Sequence, residues 1–223
     1  MAYSTFRLLP MFASAIFAGY GSAHAALPLG AENVVPLKAG AHAPSVTVKT
    51  LAGADFDLGQ AFATKPTVLI FYRGGWCPYC NKQLSGIQDY EPRFRALGYQ
   101  ILAVCTDKPE DLKATLDRHQ LTYTLLSDRA MEAAPAFQVA FRVTDDDARK
   151  YASHHVNLPE IPGEPGARWL PVPSIFIIGT DGVIKFAEFN PNFRIRPPPE
   201  DILAAATSVN TSQSAKSASG ENP

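Results

Sequence analysis

Short apolar runs alternate along the chain with segments in which apolar residues recur every three or four positions. Residues 66–72 form an apolar, β-branched run of the kind found in strands that are buried on both faces. Apolar residues then recur at helical spacing after Cys77, and Gly98 is expected to end that helix. A second apolar run at residues 100–105 precedes a further predicted helix at 109–119. This alternation predicts a parallel sheet with crossover helices.

The later part of the pattern predicts a hairpin and a closing helix. Apolar runs at residues 174–178 and 183–189 flank Asp181 and Gly182, and Asp-Gly between two such runs is a strong hairpin signal. Residues 199–207 are expected to form the last helix. A βαβ core followed by a hairpin and a helix is the order of elements in the thioredoxin fold, so we predict an α/β, thioredoxin-like fold with a central mixed sheet flanked by helices. Shorter elements are also predicted: strands within 45–50, 53–60 and 123–126, and a helix at 130–137.

Two segments lie outside this order of elements. Residues 139–172 form a proline- and charge-containing insertion before the late strands, with a helix expected around residues 145–152. Residues 208–223 have almost no apolar content and are expected to be disordered, because such a segment cannot bury enough apolar surface to fold. The sequence therefore predicts one thioredoxin-like domain at residues 26–207.

Residues 1–25 have the pattern of a secretory signal peptide. Arg7 supplies a positive charge, residues 8–18 are mostly apolar, and Ala23 and Ala25 form an A-x-A cleavage site. The apolar run is too short to span a bilayer comfortably, and no later stretch of the sequence is apolar enough to do so. We expect cleavage after Ala25 and export of a soluble protein without stable membrane association, to the periplasm in a Gram-negative bacterium. The alternative is a retained N-terminal anchor.

The 223 residues carry a formal net charge of −1 and include three cysteines. A nearly neutral chain lacks the basic excess of proteins that bind nucleic acids or membrane surfaces, so we expect no nucleic-acid partner. Three cysteines are an odd number and too few for a disulfide scaffold, which leaves Cys77 and Cys80 as a close pair. Cys105 lies in an apolar run and is expected to be a buried apolar side chain.

Cys77 and Cys80 form a C-x-x-C motif that follows a predicted strand and opens a predicted helix, with Pro78 in its first turn. A thiolate at a helix N-terminus faces unsatisfied backbone N–H groups and the positive end of the helix dipole, which lower its pKa. Arg73 adds positive charge if its side chain turns toward the site. The two-residue spacer brings the sulfurs close enough to form a disulfide. The two cysteines are therefore the predicted catalytic residues of an oxidoreductase.

Residues beside the motif are candidates for supporting roles. Trp76 and Tyr79 flank the cysteines, and three arginines are candidates for an anion-tolerant surface, although solvated charge is the preferred interpretation: Arg168, Arg194 and Arg196. Other uses of a C-x-x-C motif are disfavoured, because zinc needs a second ligand pair and haem attachment needs a histidine directly after the second cysteine. A structural disulfide of this spacing constrains little chain. We expect no bound metal or cofactor.

Pro173 directly precedes the apolar run at residues 174–178. A proline at the start of a central strand is unusual unless its peptide bond has a special role. In thioredoxin-like proteins a cis-proline occupies this place beside the C-x-x-C motif and shapes the substrate groove. We expect the same of Pro173, with an ordinary trans proline as the alternative.

Three stretches carry a family resemblance: FYRGGWCPYCNKQL at residues 71–84, LLSD at 125–128 and PSIFIIGTDG at 173–182. Over residues 36–207 the chain resembles the alkyl hydroperoxide reductase/thiol-specific antioxidant family and, within it, the bacterial peroxiredoxin-like proteins. The resemblance implies thiol-dependent reduction of peroxides, followed by regeneration by a thiol reductant such as a thioredoxin-like donor.

The family's peroxidatic motif, P-x-x-x-T/S-x-x-C, implies a role for each cysteine. Laid on this chain, it places Arg73 at its proline, Cys77 at its Thr/Ser, whose hydroxyl helps to position the peroxide, and Cys80 at the peroxidatic cysteine. In the thioredoxin register the roles reverse, with Cys77 as the exposed nucleophile and Cys80 as the resolving cysteine. Phe71 then stands where that register usually has a buried carboxylate. The sequence leaves both registers open.

The leading prediction is a peroxiredoxin-like, thiol-dependent peroxidase that cycles through a Cys77–Cys80 disulfide. The alternative within the same class is a thiol-disulfide oxidoreductase that acts on the disulfides of exported proteins. An alternative from a different class is a copper-handling assembly factor, which would hold Cu(I) with both thiolates and a histidine such as His154 or His155.

Overall fold

The computed structural model describes residues 26–219, so the signal peptide predicted at residues 1–25 lies outside the described residues. Within this range the strands are β1 (Thr47–Lys49), β2 (Asp55–Asp57), β3 (Thr67–Phe71), β4 (Gln100–Cys105), β5 (Thr124–Ser127), β6 (Ala140–Arg142), β7 (Glu160–Ile161), β8 (Glu164–Pro171), β9 (Ser174–Ile178) and β10 (Ile184–Phe189). The α-helices are α1 (Leu58–Thr64), α2 (Pro78–Ala96), α3 (Pro109–His119), α4 (Ala133–Ala136), α5 (Asp145–Ser153) and α6 (Pro199–Ser219). None of the described helices combines the length and the apolar content needed to span a bilayer.

Strands β3, β4 and β5 lie parallel at the centre of a seven-stranded sheet with the order β10-β9-β3-β4-β5-β1-β2. Strand β9 pairs antiparallel with β3, and β1 pairs antiparallel with β5. Helices α2 and α3 form the crossovers between the parallel strands, and β9 and β10 form the predicted hairpin. The prediction of a thioredoxin-like α/β fold with a central mixed sheet and flanking helices is confirmed.

Strand β3 is buried along its whole length, and its side chains alternate between the two faces of the sheet. Ile70 belongs to the apolar layer that includes Leu84 of α2, whereas Phe71 belongs to the opposite layer. There its ring lies 5.2 Å from that of Phe137, measured between centroids. The two layers hold the carboxyl end of β3 in place, and the C-x-x-C motif starts only a few residues further on.

The insertion at residues 139–172 builds a second, three-stranded sheet in the order β6-β8-β7 and carries α5. Helix α5 confirms the helix predicted around residues 145–152. The strands escape prediction because β8 includes one glycine and two prolines and so lacks a clear strand pattern. An apolar cluster within the insertion, which includes Leu158 and Leu170, packs against Trp76 of the redox motif.

The C-terminal segment differs from its prediction. Helix α6 continues to Ser219, whereas disorder is expected from residue 208 onwards; residues 220–223 lie outside the described residues. The helix persists because residues 208–219 contain neither glycine nor proline, and because Val209 still packs against the core.

Helix α1 is also absent from the sequence prediction, which extends an edge strand through residue 60. The helix begins after Asp57, whose carboxylate accepts a hydrogen bond from the Gln60 N–H at 3.0 Å. This side-chain cap satisfies a backbone donor that would otherwise lack a partner, and it stabilises the helix start.

Candidate redox site

The redox motif lies between β3 and α2, where the chain turns from a buried strand into a helix. Cys77 is the N-cap residue of α2, and Pro78 occupies the first turn. The Asn81 N–H donates a hydrogen bond to the Cys77 carbonyl at 3.0 Å, which begins the helical pattern. Cys77 therefore lies at the positive end of the α2 dipole.

The turn before Cys77 is held by side chains that follow β4 and by α3. The Asp107 carboxylate accepts a hydrogen bond from the Gly75 N–H at 2.6 Å, and burial raises the pKa of this carboxyl. The Thr106 hydroxyl donates to the Arg73 carbonyl at 3.0 Å. A methyl group on Gly75 would lie only 1.9 Å from the Thr115 hydroxyl oxygen, so this approach requires glycine. Asp107 escapes the sequence prediction, although a polar residue just beyond the strand beside β3 is a usable signal.

Cys77 and Cys80 are free thiols, and both are fully buried. A hydrogen bond from Cys80, together with the positive charges of Arg73 and Arg196, lowers the pKa of Cys77 to about 6. Burial, and then the neighbouring Cys77, raise the pKa of Cys80 well above its ordinary value. Negative charge therefore rests on Cys77. The thioredoxin register implies an exposed Cys77, whereas its side chain is buried here and the insertion packs against the adjacent Trp76.

Arg73 turns toward the thiols and is itself almost fully buried. Its Nη1 lies 3.9 Å from the Cys77 sulfur, and its Nη2 donates a hydrogen bond to the Tyr151 hydroxyl. Its guanidinium carbon lies 4.8 Å from the ring centroid of Trp76, 5.2 Å from that of Tyr151 and 3.9 Å from that of Phe193. Three aromatic rings thus hold the cation against the sulfur. The sequence carries no signal for Tyr151 or Phe193, because only the fold brings them to Arg73.

Arg196 lies against the second cysteine. Its Nη2 is 3.6 Å from the Cys80 sulfur, and its charge acts to lower the pKa of both thiols. The interpretation of Arg196 as solvated charge is wrong, because the chain before α6 folds back over the start of α2 and partly buries it. Arg168 instead pairs with Glu160 at 3.2 Å, and the exposed Arg194 lies over the Phe193 ring at 4.6 Å.

The remaining predicted support residues surround the same site. Trp76 packs on Tyr151 with 5.6 Å between ring centroids, and Tyr79 remains 40% exposed. Pro173 is buried and lines a small cavity together with Arg73. The predicted cis bond before Pro173 is wrong: among the described residues no peptide bond is cis. The trans form is intrinsically favoured, and directly before Pro173 the Val172 N–H donates a hydrogen bond to the Val139 carbonyl at 2.8 Å.

Two cavities are each lined by one of the arginines that contact the cysteines, although neither cysteine lines them. One has a volume of about 40 Å³ and is lined by Arg73, Tyr151, Pro173 and Phe193, among others. The other has a volume of about 370 Å³, and Arg196 is part of its wall. A larger cavity of about 690 Å³ lies near residues 26–35 and includes no residue of the redox motif.

The described residues contain no group of three His, Cys, Asp or Glu side chains that could hold a metal ion. His154 and His155 are exposed at the end of α5 and do not complete such a group with the cysteines. The copper-handling alternative therefore gains no ligand set from the structure. The arrangement instead provides a thiolate, a neighbouring thiol and two arginines, which suits chemistry at sulfur.

A family model described as the AhpC/TSA family matches residues 39–187. Peroxiredoxin Bcp of Escherichia coli K12 is 32% identical over 104 residues, which cover 47% of this chain and 66% of that protein. The chloroplastic peroxiredoxin Q of Gentiana triflora is 34% identical over 85 residues, which cover 38% of this chain and 39% of that protein. The matched part thus spans less than two thirds of these curated relatives.

Solved structures give a broader match to the fold. Peroxidoxin BcpB from Mycobacterium tuberculosis superposes with a TM-score of 0.61 at 19% identity, covering 78% of this chain and 98% of that chain. The bacterioferritin comigratory protein of Xanthomonas campestris gives a TM-score of 0.58 at 17% identity, covering 80% and 99% respectively. At these identities the likeness shows a shared fold.

Proposed function

The chain belongs to the AhpC/TSA family, and from that premise we propose that it is a thiol-dependent oxidoreductase that reduces peroxides through Cys77 and Cys80. One observation carries the proposal: the two sulfurs lie together at the start of α2, and each has an arginine beside it, Arg73 at Cys77 and Arg196 at Cys80. This arrangement stabilises a thiolate and the negative charge that develops on a breaking peroxide bond.

Cys77 is the proposed attacking residue, because it carries the thiolate. Its sulfur attacks one peroxide oxygen and the O–O bond breaks, so that the other oxygen leaves as an alkoxide or, from hydrogen peroxide, as hydroxide, and takes up a proton to give an alcohol or water. Cys77 is oxidised to a sulfenic acid while the peroxide is reduced. Arg73 Nη1, 3.9 Å from the sulfur, is placed to stabilise the charge that moves from sulfur to oxygen.

The small cavity beside Arg73 is the proposed peroxide site. Its volume of about 40 Å³ accepts a molecule somewhat larger than water. In the family motif a Thr/Ser hydroxyl stands at the position of Cys77, and in this chain we assign the corresponding role to the hydroxyl of Tyr151, a residue that lines the cavity. Tyr151 accepts a hydrogen bond from Arg73 and stays protonated, since burial raises its pKa, so its own proton is free to orient a peroxide oxygen.

Cys80 is the proposed resolving residue. Its thiol attacks the sulfur of the Cys77 sulfenic acid, which forms the Cys77–Cys80 disulfide and releases water. Two thiols of an external reductant, such as a thioredoxin-like donor, then restore the reduced pair. No metal or other cofactor takes part in these steps.

A second candidate function is thiol-disulfide exchange with protein disulfides. The order of the two pKa values favours it, because a lowered pKa at the first cysteine and a raised one at the second suit attack followed by resolution. It requires a protein substrate to reach sulfurs that are buried in the reduced protein, so we place it second.

The test is stopped-flow mixing of the reduced protein with hydrogen peroxide, followed by Trp76 fluorescence, with Cys77→Ser and Cys80→Ser variants alongside. We expect fast oxidation that is lost in Cys77→Ser, and a sulfenic acid that accumulates on Cys77 in Cys80→Ser. Oxidation that survives in Cys77→Ser but not in Cys80→Ser would assign attack to Cys80. A reaction no faster than that of free cysteine would overturn the peroxidase proposal, and Cys77-dependent reduction of a protein disulfide would then support the second candidate.

We further propose that the protein is exported and acts in the periplasm of a Gram-negative cell. The pattern of residues 1–25 supports this proposal. Expression of the full chain in a Gram-negative host, cell fractionation and mass determination test it. A periplasmic product that begins at Ala26 is expected, and an intact chain in the cytoplasmic fraction would contradict the proposal.

A further inference from the structure

The larger of the two cavities that Arg73 and Arg196 line is connected to Cys80 through Arg196. Its volume of about 370 Å³ falls within the usual range of ligand pockets. One wall is the outer surface of the first turns of α2, including Tyr79, and the other is the proline-rich stretch at residues 194–199. Arg196 belongs to this wall and also contacts the Cys80 sulfur, so the cavity and the thiol share one side chain.

The cavity is basic. Lys82, Arg194 and Arg196 line it, and no aspartate or glutamate does so. Lys82 makes no ion pair with any residue of the described part of the chain. A ligand that carries carboxylates would find three cations here, of which Arg196 is partly shielded from water.

One polar side chain that lines the cavity, Gln83, lacks a hydrogen-bond partner in the described part of the chain. The Gln83 side chain is only 7% exposed, and its amide makes no hydrogen bond within residues 26–219. The Nε of Arg196 is buried and likewise without a partner in that range. The Arg196 Nε is fully enclosed, whereas the Gln83 amide is not, so Gln83 is the group that a ligand in the cavity can reach. An amide accepts and donates, as a peptide group does, which makes Gln83 a fitting partner for a peptide bond.

We propose that this cavity binds the reductant that regenerates the oxidised protein, that the reductant is a small peptide thiol with free carboxylates, and that it attacks Cys80. The proposal rests on the proposed function, because it concerns the Cys77–Cys80 disulfide which that function forms. It assigns the two substrates to separate cavities, with the peroxide beside Arg73 and the reductant beside Arg196.

The reduction step conserves atoms and electrons. The thiolate of the reductant bonds to the Cys80 sulfur as the Cys77–Cys80 bond breaks, and Cys77 leaves as a thiolate. A second reductant thiolate then attacks the sulfur of the reductant that is bound to Cys80. The two reductant molecules leave joined by a disulfide, and the Cys80 thiolate takes up a proton. Attack at Cys80 is favoured because Cys77, stabilised by Arg73 and the start of α2, is the better leaving group.

The test isolates the reductive half of the cycle. The protein is oxidised with diamide, and its reduction by glutathione, 2-mercaptoethanol or cysteamine is followed by Trp76 fluorescence at matched thiolate concentrations. Glutathione is anionic, 2-mercaptoethanol neutral and cysteamine cationic. We expect glutathione to react at least about tenfold faster than the other two, to saturate, and to lose its advantage at high salt.

Variants test whether the faster reaction with glutathione comes from the cavity or from the general charge of the protein surface. Lys82→Gln and Arg194→Gln should each remove most of the glutathione advantage and leave the rate with 2-mercaptoethanol unchanged. Lys113→Gln is the matched control, because Lys113 is an exposed lysine of α3 that pairs with Asp117 and lies outside the cavity. Acid quenching, alkylation and mass analysis locate the mixed disulfide, which we expect on Cys80.

The outcomes are distinct from those of the peroxidase test. Equal rates for the three thiols, or a mixed disulfide on Cys77, would overturn the reductant site while leaving the peroxide reaction intact. A glutathione preference in a protein that does not react with peroxide would support the site and remove the peroxidase proposal. Failure of diamide to form the Cys77–Cys80 disulfide would overturn both.

Discussion

The Asp107 carboxylate accepts a hydrogen bond from the Gly75 N–H at 2.6 Å, so the segment that follows β4 fixes the turn that leads into the Cys77 helix. Thr115 of α3 also approaches Gly75, so closely that a side chain at this position has no room. The position of the thiolate is therefore set by contacts from two elements outside the motif.

Gly75→Ala should displace the turn, because the added methyl group overlaps the Thr115 hydroxyl. Overpacking of this kind lowers the free energy of unfolding by about 1–3 kcal/mol. We expect a decrease in that range, measured by urea unfolding, together with slower peroxide oxidation. The double variant Gly75→Ala/Thr115→Ala removes the overlapping oxygen and should recover most of the lost rate. If the double variant is as slow as Gly75→Ala alone, the contact with Thr115 is not the cause.

The Cys77 thiolate should titrate near pH 6, as its pKa of about 6 requires. The folded-state pKa lies below the unfolded value, so the stability this group contributes is present above the unfolded pKa and is lost as the pH falls through about 6. Thiolate absorbance in the ultraviolet measures the titration in the Cys80→Ala variant and the parent. Removal of the hydrogen-bonding Cys80 thiol should raise the midpoint.

Arg73→Met and Arg196→Met should each raise the same midpoint by a smaller amount, because each removes a positive charge that stabilises the thiolate. Arg118→Met, at an exposed position of α3, is the control and should leave the midpoint in place. An unchanged midpoint in both site variants would show that the arginines do not stabilise the thiolate.

Tyr151→Phe should slow peroxide oxidation by about tenfold, the scale of one oriented hydrogen bond to a reacting oxygen. Alkylation of Cys77 by iodoacetamide needs no oriented oxygen and should change less. Tyr90→Phe, which alters a tyrosine of α2 outside the small cavity, is the matched control. Equal slowing of oxidation and alkylation would indicate that Tyr151 acts only by holding Arg73 in place.

Because of Asp128, the free energy of unfolding should decrease as the pH rises through the acidic range. Its carboxylate accepts hydrogen bonds from the N–H groups of Glu132, Ala133 and Ala134, yet burial raises its pKa to about 6. Because the folded-state pKa lies above the ordinary value near 4, the folded protein holds the proton more tightly. Stability should therefore drop by up to about 3 kcal/mol between about pH 4 and about pH 6. Urea unfolding of the parent and of Asp128→Asn checks this, since the amide does not titrate and the drop should shrink.

The parts of the fold that the sequence predicts are those in which one local pattern decides the structure. The β-branched run of β3 can only be buried, and the spacing after Cys77 fits a helix, so β3, α2, β4 and α3 lie where expected. Strand β8 shows the opposite case. Its prolines and glycine obscure the pattern, and only pairing with β6 and β7 makes it a strand.

The candidate site likewise contains residues that the sequence predicts and residues that only the folded structure reveals. Cys77, Cys80 and Arg73 are adjacent in sequence, so the motif brings them together. Tyr151 lies 78 positions from Arg73, and Arg196 lies 116 positions from Cys80. A tyrosine in a charged helix and an arginine among prolines look like ordinary surface residues until the chain has folded. Pairings of this kind depend on tertiary structure, and a single sequence does not record them.

The aromatic enclosure of Arg73 draws on two pieces of chain that take no part in the central sheet, since Tyr151 comes from the insertion and Phe193 from the loop before α6. The reactivity of the sulfur therefore depends on stretches of chain far from the strand–turn–helix unit that carries it. Exchange of the insertion or of the loop should change the thiolate pKa as well as the size of the oxidant that the site admits.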